Sequence, residues 1–176
     1  MTGKSDEIVR SAAQLLEMLR TKGLKIAFAE SMSGGLLSGS LTRIPGASSV
    51  LLGSVVCYDK GSKMRLLGVG QELLIEKGAE SEEVTRAMAE GIHRLFPDAG
   101  IFLAISGSAS APVNDYQISS PPGSVFICMG TAGGKRLSRQ WKLIGNRDEV
   151  LNQSILLALE SLQEFIRNDA NPVNNH

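Results

Sequence analysis

Three segments of the chain repeat apolar residues every three or four positions, which is typical of helices packed on one face. They begin near Ser5, Ser81 and Asn146. Ser81 is followed by two glutamates, and Asn146 has Glu149 three positions later, and both patterns are typical of helix starts. The sequence therefore predicts three long helices, and a shorter helical pattern follows Gly35.

Five short apolar runs lie between these helices and predict strands. They cover residues 25–29, 53–58, 101–105, 124–129 and a segment through Leu137, Trp141 and Leu143. A glycine-rich stretch between the last two runs is typical of a hairpin turn. The expected fold is α/β: a single three-layer α/β/α domain with a mixed, mostly parallel sheet that ends in an antiparallel hairpin. We expect this domain to span residues 1–168 and residues 169–176 to form a disordered tail.

Composition narrows the possible functions. The 176 residues suit one domain, and 18 basic residues balance 18 acidic ones. A net charge of zero and an aromatic content of 5% disfavour nucleic acid as a partner. No apolar run approaches the ~20 residues that cross a bilayer, and the polar start is unlike a signal peptide. We therefore expect a cytoplasmic protein without a membrane partner.

The two cysteines, Cys57 and Cys128, lie in apolar runs with no Cys or His nearby in the sequence. We expect both to be free and buried, with a disulfide or a metal pair as the alternative.

Polar segments follow three of the predicted strands, at residues 30–35, 58–63 and 106–112. In α/β sheets, ligands bind beyond the carboxyl ends of the strands. Ser31 stands on a strand-to-helix turn before Gly34 and Gly35, where free amides can hold a phosphate or an oxyanion. Ser31 is a candidate nucleophile on this turn, and a simple helix cap is the alternative role.

A nucleophilic serine needs a base, and histidine is poorly placed here. His93 lies outside the apolar stripe of its predicted helix, and His176 is the last residue of the sequence. Lys63 is the remaining candidate if its pKa is lowered, and a solvated surface lysine is the alternative. Tyr58 and Lys63 are five residues apart, not the four of an oxidoreductase Tyr–Lys pair. With no G-x-G-x-x-G motif after the first strand, a nicotinamide-dependent dehydrogenase is disfavoured.

Arg147 lies beside the predicted cap of the last helix, where it could bind an anion or remain an exposed residue. Together with Ser31 and Lys63, it suggests hydrolysis or group transfer on a phosphorylated small molecule.

Several segments together resemble the C-terminal domain family of competence-damage-inducible protein A (CinA), over about residues 6–165. The matching segments are residues 29–35, 41–48, Tyr58 with Lys63, 66–69, 78–84 and 145–149. The characterised members of this family are nicotinamide-nucleotide amidases. The resemblance implies hydrolysis of the carboxamide of nicotinamide mononucleotide to nicotinic acid mononucleotide and ammonia. It also implies a homodimer that needs no metal and no cofactor.

The resemblance assigns catalytic roles to three residues. Ser31 would attack the amide carbon and form an acyl-enzyme. Lys63 would accept the Ser31 proton and return a proton to the leaving ammonia. Tyr58 would orient or support Lys63.

The resemblance also implies a set of substrate contacts. Amides around the turn would stabilise the oxyanion or hold the ligand, Ser106 takes the position of a family threonine, and an arginine would bind the phosphate. These residues are Ser33, Gly34, Gly35, Ser106 and Arg147.

Three residues depart from the family pattern at the site: Met32 in place of a cysteine, Lys60 in place of an asparagine, and Ser110 in place of a glycine. They keep a second interpretation open, in which the chain is a degenerate, non-catalytic nucleotide-binding paralogue.

Overall fold

The computed structural model of the protein describes residues 2–112 and 118–169. Its five strands form one sheet. Their bounds are β1 (Ile26–Glu30), β2 (Leu51–Val56), β3 (Ile101–Gly107), β4 (Ser124–Thr131) and β5 (Arg136–Lys142). Across the sheet the order is β2-β1-β3-β4-β5.

Helices cover both faces of the sheet. They are α1 (Thr2–Thr21), α2 (Leu36–Thr42), α3 (Lys60–Leu67), α4 (Gln71–Lys77), α5 (Glu82–Leu95) and α6 (Arg147–Asp169), with a 3-10 turn at Ala47–Ser49. The apolar residues of α1, α2 and α6 pack in one core on one face. Those of α3, α4 and α5 pack in a second core on the other face. These two cores confirm the predicted three-layer α/β/α domain.

The strand directions confirm the predicted mixed sheet. β1 runs parallel to both β2 and β3, whereas β4 is antiparallel to both β3 and β5. Four strands therefore share one direction, and β4 and β5 form the expected antiparallel hairpin. The carboxyl ends of β1, β2 and β3 meet at one edge of the sheet.

The register of β1 and β3 brings two serines together at that edge. Glu30 pairs with Ile105, and the Ser31 amide continues the ladder by donating to the Ile105 carbonyl at 3.0 Å. Ser31 and Ser106 are thus the next register neighbours, and such neighbours lie about 4.8 Å apart. Because side chains alternate between the faces of a sheet, both serines point toward the α3–α5 layer.

The predicted capping of α5 and α6 is confirmed. The Ser81 Oγ accepts a hydrogen bond from the Val84 amide at 3.3 Å. At α6, the Asn146 side chain accepts from the Glu149 amide, and the Glu149 carboxylate accepts from the Asn146 amide. Cys57 and Cys128 are free and buried, as expected.

Some boundaries differ from the prediction. α1 begins at Thr2, so Ser5 lies inside the helix and does not cap it. Helix α4 was not predicted, because only Leu74 of its seven residues is buried and no apolar stripe marks it. Asp169 is the last residue of α6, and the other residues of the predicted tail, 170–176, lie outside the described part of the chain. No helix within the described ranges is long and apolar enough to cross a membrane.

Candidate active site

A pocket of about 280 Å³ opens at the carboxyl ends of β1 and β3. All three polar segments predicted from the sequence contribute to its lining, with Ser31, Tyr58 and residues 107–112, and so does Arg147. Glu80 completes one wall. A wider surface groove of about 740 Å³ lies between α1 and α6, far from the strand ends. Of the predicted site residues, Ser31, Tyr58 and Arg147 line the smaller pocket, whereas Lys63, Ser106, Ser33, Gly34 and Gly35 do not.

Glu30 organises the turn that carries Ser31. Its carboxylate is fully buried and accepts three amide hydrogen bonds from the start of α2, all within 3.0 Å. It also accepts from the hydroxyls of Ser33, at 2.8 Å, and Ser54, at 3.0 Å. One carboxylate thus satisfies the free donors of this helix start. Sequence reasoning missed this role, although a carboxylate directly after an apolar strand and before a helix is a usable sign of it.

The capping by Glu30 engages several donors of the predicted ligand contacts, while the role of the Ser33, Gly34 and Gly35 amides toward a ligand stays a prediction. The Gly35 amide and the Ser33 hydroxyl donate to Glu30, and the Gly34 amide donates to the Ser31 carbonyl at 3.0 Å. These donors are already used inside the turn, because the protein's own carboxylate occupies the place of an external anion. The Met32 and Ser33 amides, by contrast, make no hydrogen bond to the described residues, and Met32 lines the pocket.

Ser31 presents a free hydroxyl to the pocket. The residue is only 5% exposed, and its Oγ makes no hydrogen bond within the described ranges. Ser31 does not cap α2, since Glu30 does so. Its hydroxyl is therefore available to meet a ligand.

Lys63 is buried and not solvated. Asp59 starts α3 by accepting a hydrogen bond from the Ser62 amide, and this start directs Lys63 inward on the first turn. Lys63 is 1% exposed, and its Nζ donates to the Ala79 carbonyl at 2.6 Å and to the Ser106 Oγ at 3.2 Å. Burial lowers the pKa of Lys63 from 10.5 to about 8, against the opposing charge of Glu80. The surface-lysine alternative is thus wrong.

Ser106 is the link between Lys63 and the strand end that carries Ser31. It is fully buried, so it lies behind the pocket lining. Its Oγ accepts from Lys63 Nζ and is 3.3 Å from the Ala79 carbonyl, to which it donates. Lys63 makes no hydrogen bond to Ser31 directly. Ser106 therefore contacts the candidate base, and its predicted contact to substrate stays a prediction.

Tyr58 and Arg147 form the rim of the pocket. The Arg147 Nη2 donates to the Tyr58 hydroxyl at 2.7 Å, and its Nη1 donates to the Ser110 Oγ at 3.3 Å. Tyr58 is 59% exposed and does not contact Lys63 through a hydrogen bond. It precedes the cap of α3 and faces outward, whereas Lys63 faces the core. In this structure Tyr58 thus contacts Arg147, and its predicted support of Lys63 stays a prediction.

Glu80 joins the pocket to the loop that returns toward β4. Its Oε2 accepts from the Ser119 amide at 2.9 Å and from the Ser119 hydroxyl, and its own amide donates to the Ser119 Oγ at 2.9 Å. The sequence contains no pattern that marks Glu80 as a pocket residue, because its position depends on this distant serine.

Within the described ranges, no three His, Cys, Asp or Glu side chains cluster closely enough to hold a metal ion.

Comparison with known proteins identifies relatives over most of the chain. The sequence model of the CinA C-terminal domain family matches residues 9–166 of this chain. A CinA-like protein of Mycobacterium sp. (strain JLS) is 38% identical over 145 residues, which cover 82% of this chain and 34% of that protein. A CinA-like protein of Thermotoga maritima is 32% identical over 165 residues, which cover 94% of this chain and 39% of that protein. The chain thus spans roughly a third of the length of these curated relatives.

Solved structures of similar fold are also those of CinA superfamily or competence/damage-inducible proteins. A competence-damaged protein (CinA) superfamily protein of Klebsiella pneumoniae has a TM-score of 0.84 and 25% identity, over 92% of this chain and 98% of that one. The competence/damage-inducible protein CihA of Agrobacterium tumefaciens has a TM-score of 0.82 and 30% identity, over 90% of this chain and 94% of that one.

Proposed function

The chain belongs to the CinA C-terminal domain family, and we propose that it is a serine amidohydrolase acting on nicotinamide mononucleotide. It would hydrolyse the carboxamide to give nicotinic acid mononucleotide and ammonia. The observation that carries this proposal is the buried Lys63, whose pKa is lowered to about 8 and whose Nζ contacts Ser106 beside the free hydroxyl of Ser31. A lysine of this kind is an effective general base near neutral pH.

In the proposed acylation step, the Ser31 Oγ bonds to the carboxamide carbon, and its proton moves toward neutral Lys63. Ser106 is the register neighbour of Ser31 and contacts Lys63, so its hydroxyl would receive the Ser31 proton and pass its own to the Lys63 Nζ, after turning from the Ala79 carbonyl. The tetrahedral intermediate then collapses with cleavage of the C–N bond. Protonated Lys63 supplies the proton that the departing ammonia requires. Water, deprotonated by the same lysine, completes hydrolysis of the acyl-enzyme.

The oxyanion of the intermediate needs donors that the fold does not already use. The Met32 amide meets this requirement, because it has no partner in the described ranges and follows Ser31 directly. We assign it the role first predicted for the amides of Gly34 and Gly35.

Arg147 would bind the phosphate at the rim. Its guanidinium is held by the Tyr58 and Ser110 hydroxyls, and a planar guanidinium is well suited to an oxyanion. Tyr58 thus orients the phosphate contact in this proposal.

A second candidate function is nucleotide binding without turnover. It is favoured by one observation: the Lys63 Nζ is bonded to Ala79 and Ser106, and not to Ser31. If the hydroxyl of Ser106 does not turn toward Ser31, the pocket would bind the nucleotide and leave its amide intact.

One experiment separates the two candidates. The purified chain is incubated with nicotinamide mononucleotide at pH 8, and both products are quantified while calorimetry measures binding. The amidase proposal predicts equal amounts of ammonia and nicotinic acid mononucleotide at an ordinary enzymatic rate, about 1–10³ per second. Binding without products supports the second candidate, and the absence of both binding and products contradicts both.

We also propose that the chain forms a homodimer, as its family resemblance implies. Light scattering at micromolar concentration should give twice the monomer mass, and a strictly monomeric mass would contradict this.

A further inference from the structure

The pocket carries opposite charges on different walls. The Glu80 carboxylate and the Arg147 guanidinium both line it, yet they do not approach within 4 Å of each other, so neither neutralises the other. Arg147 stands at the rim with Tyr58. Glu80 directly follows Ala79, whose carbonyl binds the Lys63 Nζ, so Glu80 stands near the proposed base. Glu80 therefore places a negative charge near the reacting end of the pocket, close to Lys63, and Arg147 places a positive charge at the rim.

Glu80 retains binding capacity. Its Oε2 accepts both hydrogen bonds from Ser119, which fix the carboxylate, while its Oε1 makes none within the described ranges. The other carboxylate of the lining, Asp59, already caps α3 through its Oδ1. Glu80 thus has a fixed position and a free oxygen, and unlike Asp59 it directly follows the residue whose carbonyl binds the proposed base.

We propose that Glu80 is a specificity-determining residue that selects substrates with a cationic ring next to the scissile carboxamide. This inference rests on the proposed function. The substrate class is a zwitterion: an N-substituted pyridinium carboxamide whose positive ring faces Glu80 and whose distal phosphate faces Arg147. An otherwise identical amide with an uncharged ring loses the attraction to Glu80 and binds less tightly.

The width of the pocket determines how much the charge of Glu80 is expected to change the affinity for a cationic ring. Two unit charges about 7 Å apart, roughly the width of a pocket of this volume, attract each other enough to change affinity by roughly 3- to 50-fold. A preference of about tenfold for the cationic ring is therefore expected.

Binding measurements without turnover test this inference. In a Ser31→Ala background, calorimetry gives the Kd of nicotinamide mononucleotide and of its reduced form, in which the ring is an uncharged dihydropyridine. The oxidised form should bind about tenfold more tightly. Adding Glu80→Gln should bring the two Kd values to near equality, chiefly by weakening binding of the oxidised form.

Two further variants separate the charge of Glu80 from the geometry of the loop that it contacts. Glu83→Gln removes an exposed carboxylate three residues away and should leave the tenfold preference intact. Ser119→Ala removes the two hydrogen bonds of the Ser119 hydroxyl to Glu80 but keeps the charge of Glu80 and its bond from the Ser119 amide, so it should also leave the preference intact. If Ser119→Ala abolishes the preference and Glu80→Gln does not, loop geometry selects the ring and the inference is wrong.

These binding measurements test the role of Glu80 separately from the proposed amidase activity. A ratio near one before Glu80 is changed, or an unchanged ratio in Glu80→Gln, overturns the inference even if the unmodified chain releases ammonia. A tenfold ratio that depends on Glu80 supports it even if the unmodified chain shows no turnover, in which case the amidase proposal alone fails.

Discussion

Replacing Lys63 with methionine should abolish activity and, at neutral pH, make the protein more stable. The physical reason is that the fold buries an ammonium group, and burial disfavours its charged form. Methionine fills a similar space without a charge. The buried lysine would then be an example of stability given up for function.

The magnitude follows from the pKa of Lys63. One pKa unit corresponds to about 1.4 kcal/mol, so the decrease from 10.5 to about 8 costs the folded state about 3 kcal/mol at pH 7. This cost is present in full below the folded pKa and disappears as the pH rises through the unfolded value. Loss of the hydrogen bond to the Ala79 carbonyl offsets about 1 kcal/mol of the gain. Lys63→Met should thus be about 2 kcal/mol more stable than the unmodified chain at pH 7.

Urea unfolding at pH 7 and pH 10 measures this effect. Between these pH values, the unmodified chain should gain about 2.5 kcal/mol relative to Lys63→Met, which leaves the two nearly equal at pH 10. Lys22→Met changes an exposed lysine, and its difference from the unmodified chain should not vary with pH. A stability difference for Lys63→Met that is the same at both pH values would refute the claim that Lys63 is desolvated.

Three other substitutions test the architecture of the site, and Gly133→Ala in the turn between β4 and β5 is the control for one of them. Glu30→Gln places an amide among five donors and should cost about 2–4 kcal/mol of unfolding free energy in urea, since at least two donors lose their acceptor. Gly107→Ala should cost more than about 2 kcal/mol, because φ is +148° and the new Cβ would lie 2.2 Å from the Ser124 carbonyl. Gly133→Ala should change stability by less than about 0.5 kcal/mol, because the new Cβ would meet only the Thr131 Oγ1, at an ordinary van der Waals distance of 3.6 Å. Ser106→Ala should lower kcat about 100-fold with little change in KM if its hydroxyl carries the proton, and an unchanged kcat would exclude that path.

The α/β architecture was predictable because its determinants are local. The apolar stripe after Ser81 and the exchange of hydrogen bonds between Asn146 and Glu149 depend on residues three or four positions apart. Helix α4 lacked such a pattern, since it packs through Leu74 and leaves Ile75 76% exposed. Its position is set by contacts with α5 rather than by its own sequence.

The sequence predicted at which edge of the sheet the candidate site lies, but not which side chains contact each other there. The rule that ligands lie beyond the carboxyl ends of strands predicted that Ser31 and Tyr58 share one pocket, and Arg147, a candidate from its place beside a helix cap, lines the same pocket. The partners of each side chain were not predictable, because they come from distant segments. Lys63 contacts Ser106, 43 residues away, and Tyr58 contacts Arg147, 89 residues away. No pattern of residue spacing in the sequence predicts contacts between residues this far apart in the chain.

The most direct test of the proposed mechanism compares two neighbouring serines in the hydrolysis of nicotinamide mononucleotide. Ser31 offers a free hydroxyl to the pocket, whereas Ser33 is buried with its hydroxyl on Glu30. Ammonia release at pH 8 should fall at least about a thousandfold in Ser31→Ala. It should stay within about tenfold of the unmodified rate in Ser33→Ala, since one of five hydrogen bonds to Glu30 is lost. Comparable rates for Ser31→Ala and the unmodified chain would contradict the assignment of Ser31 as the nucleophile.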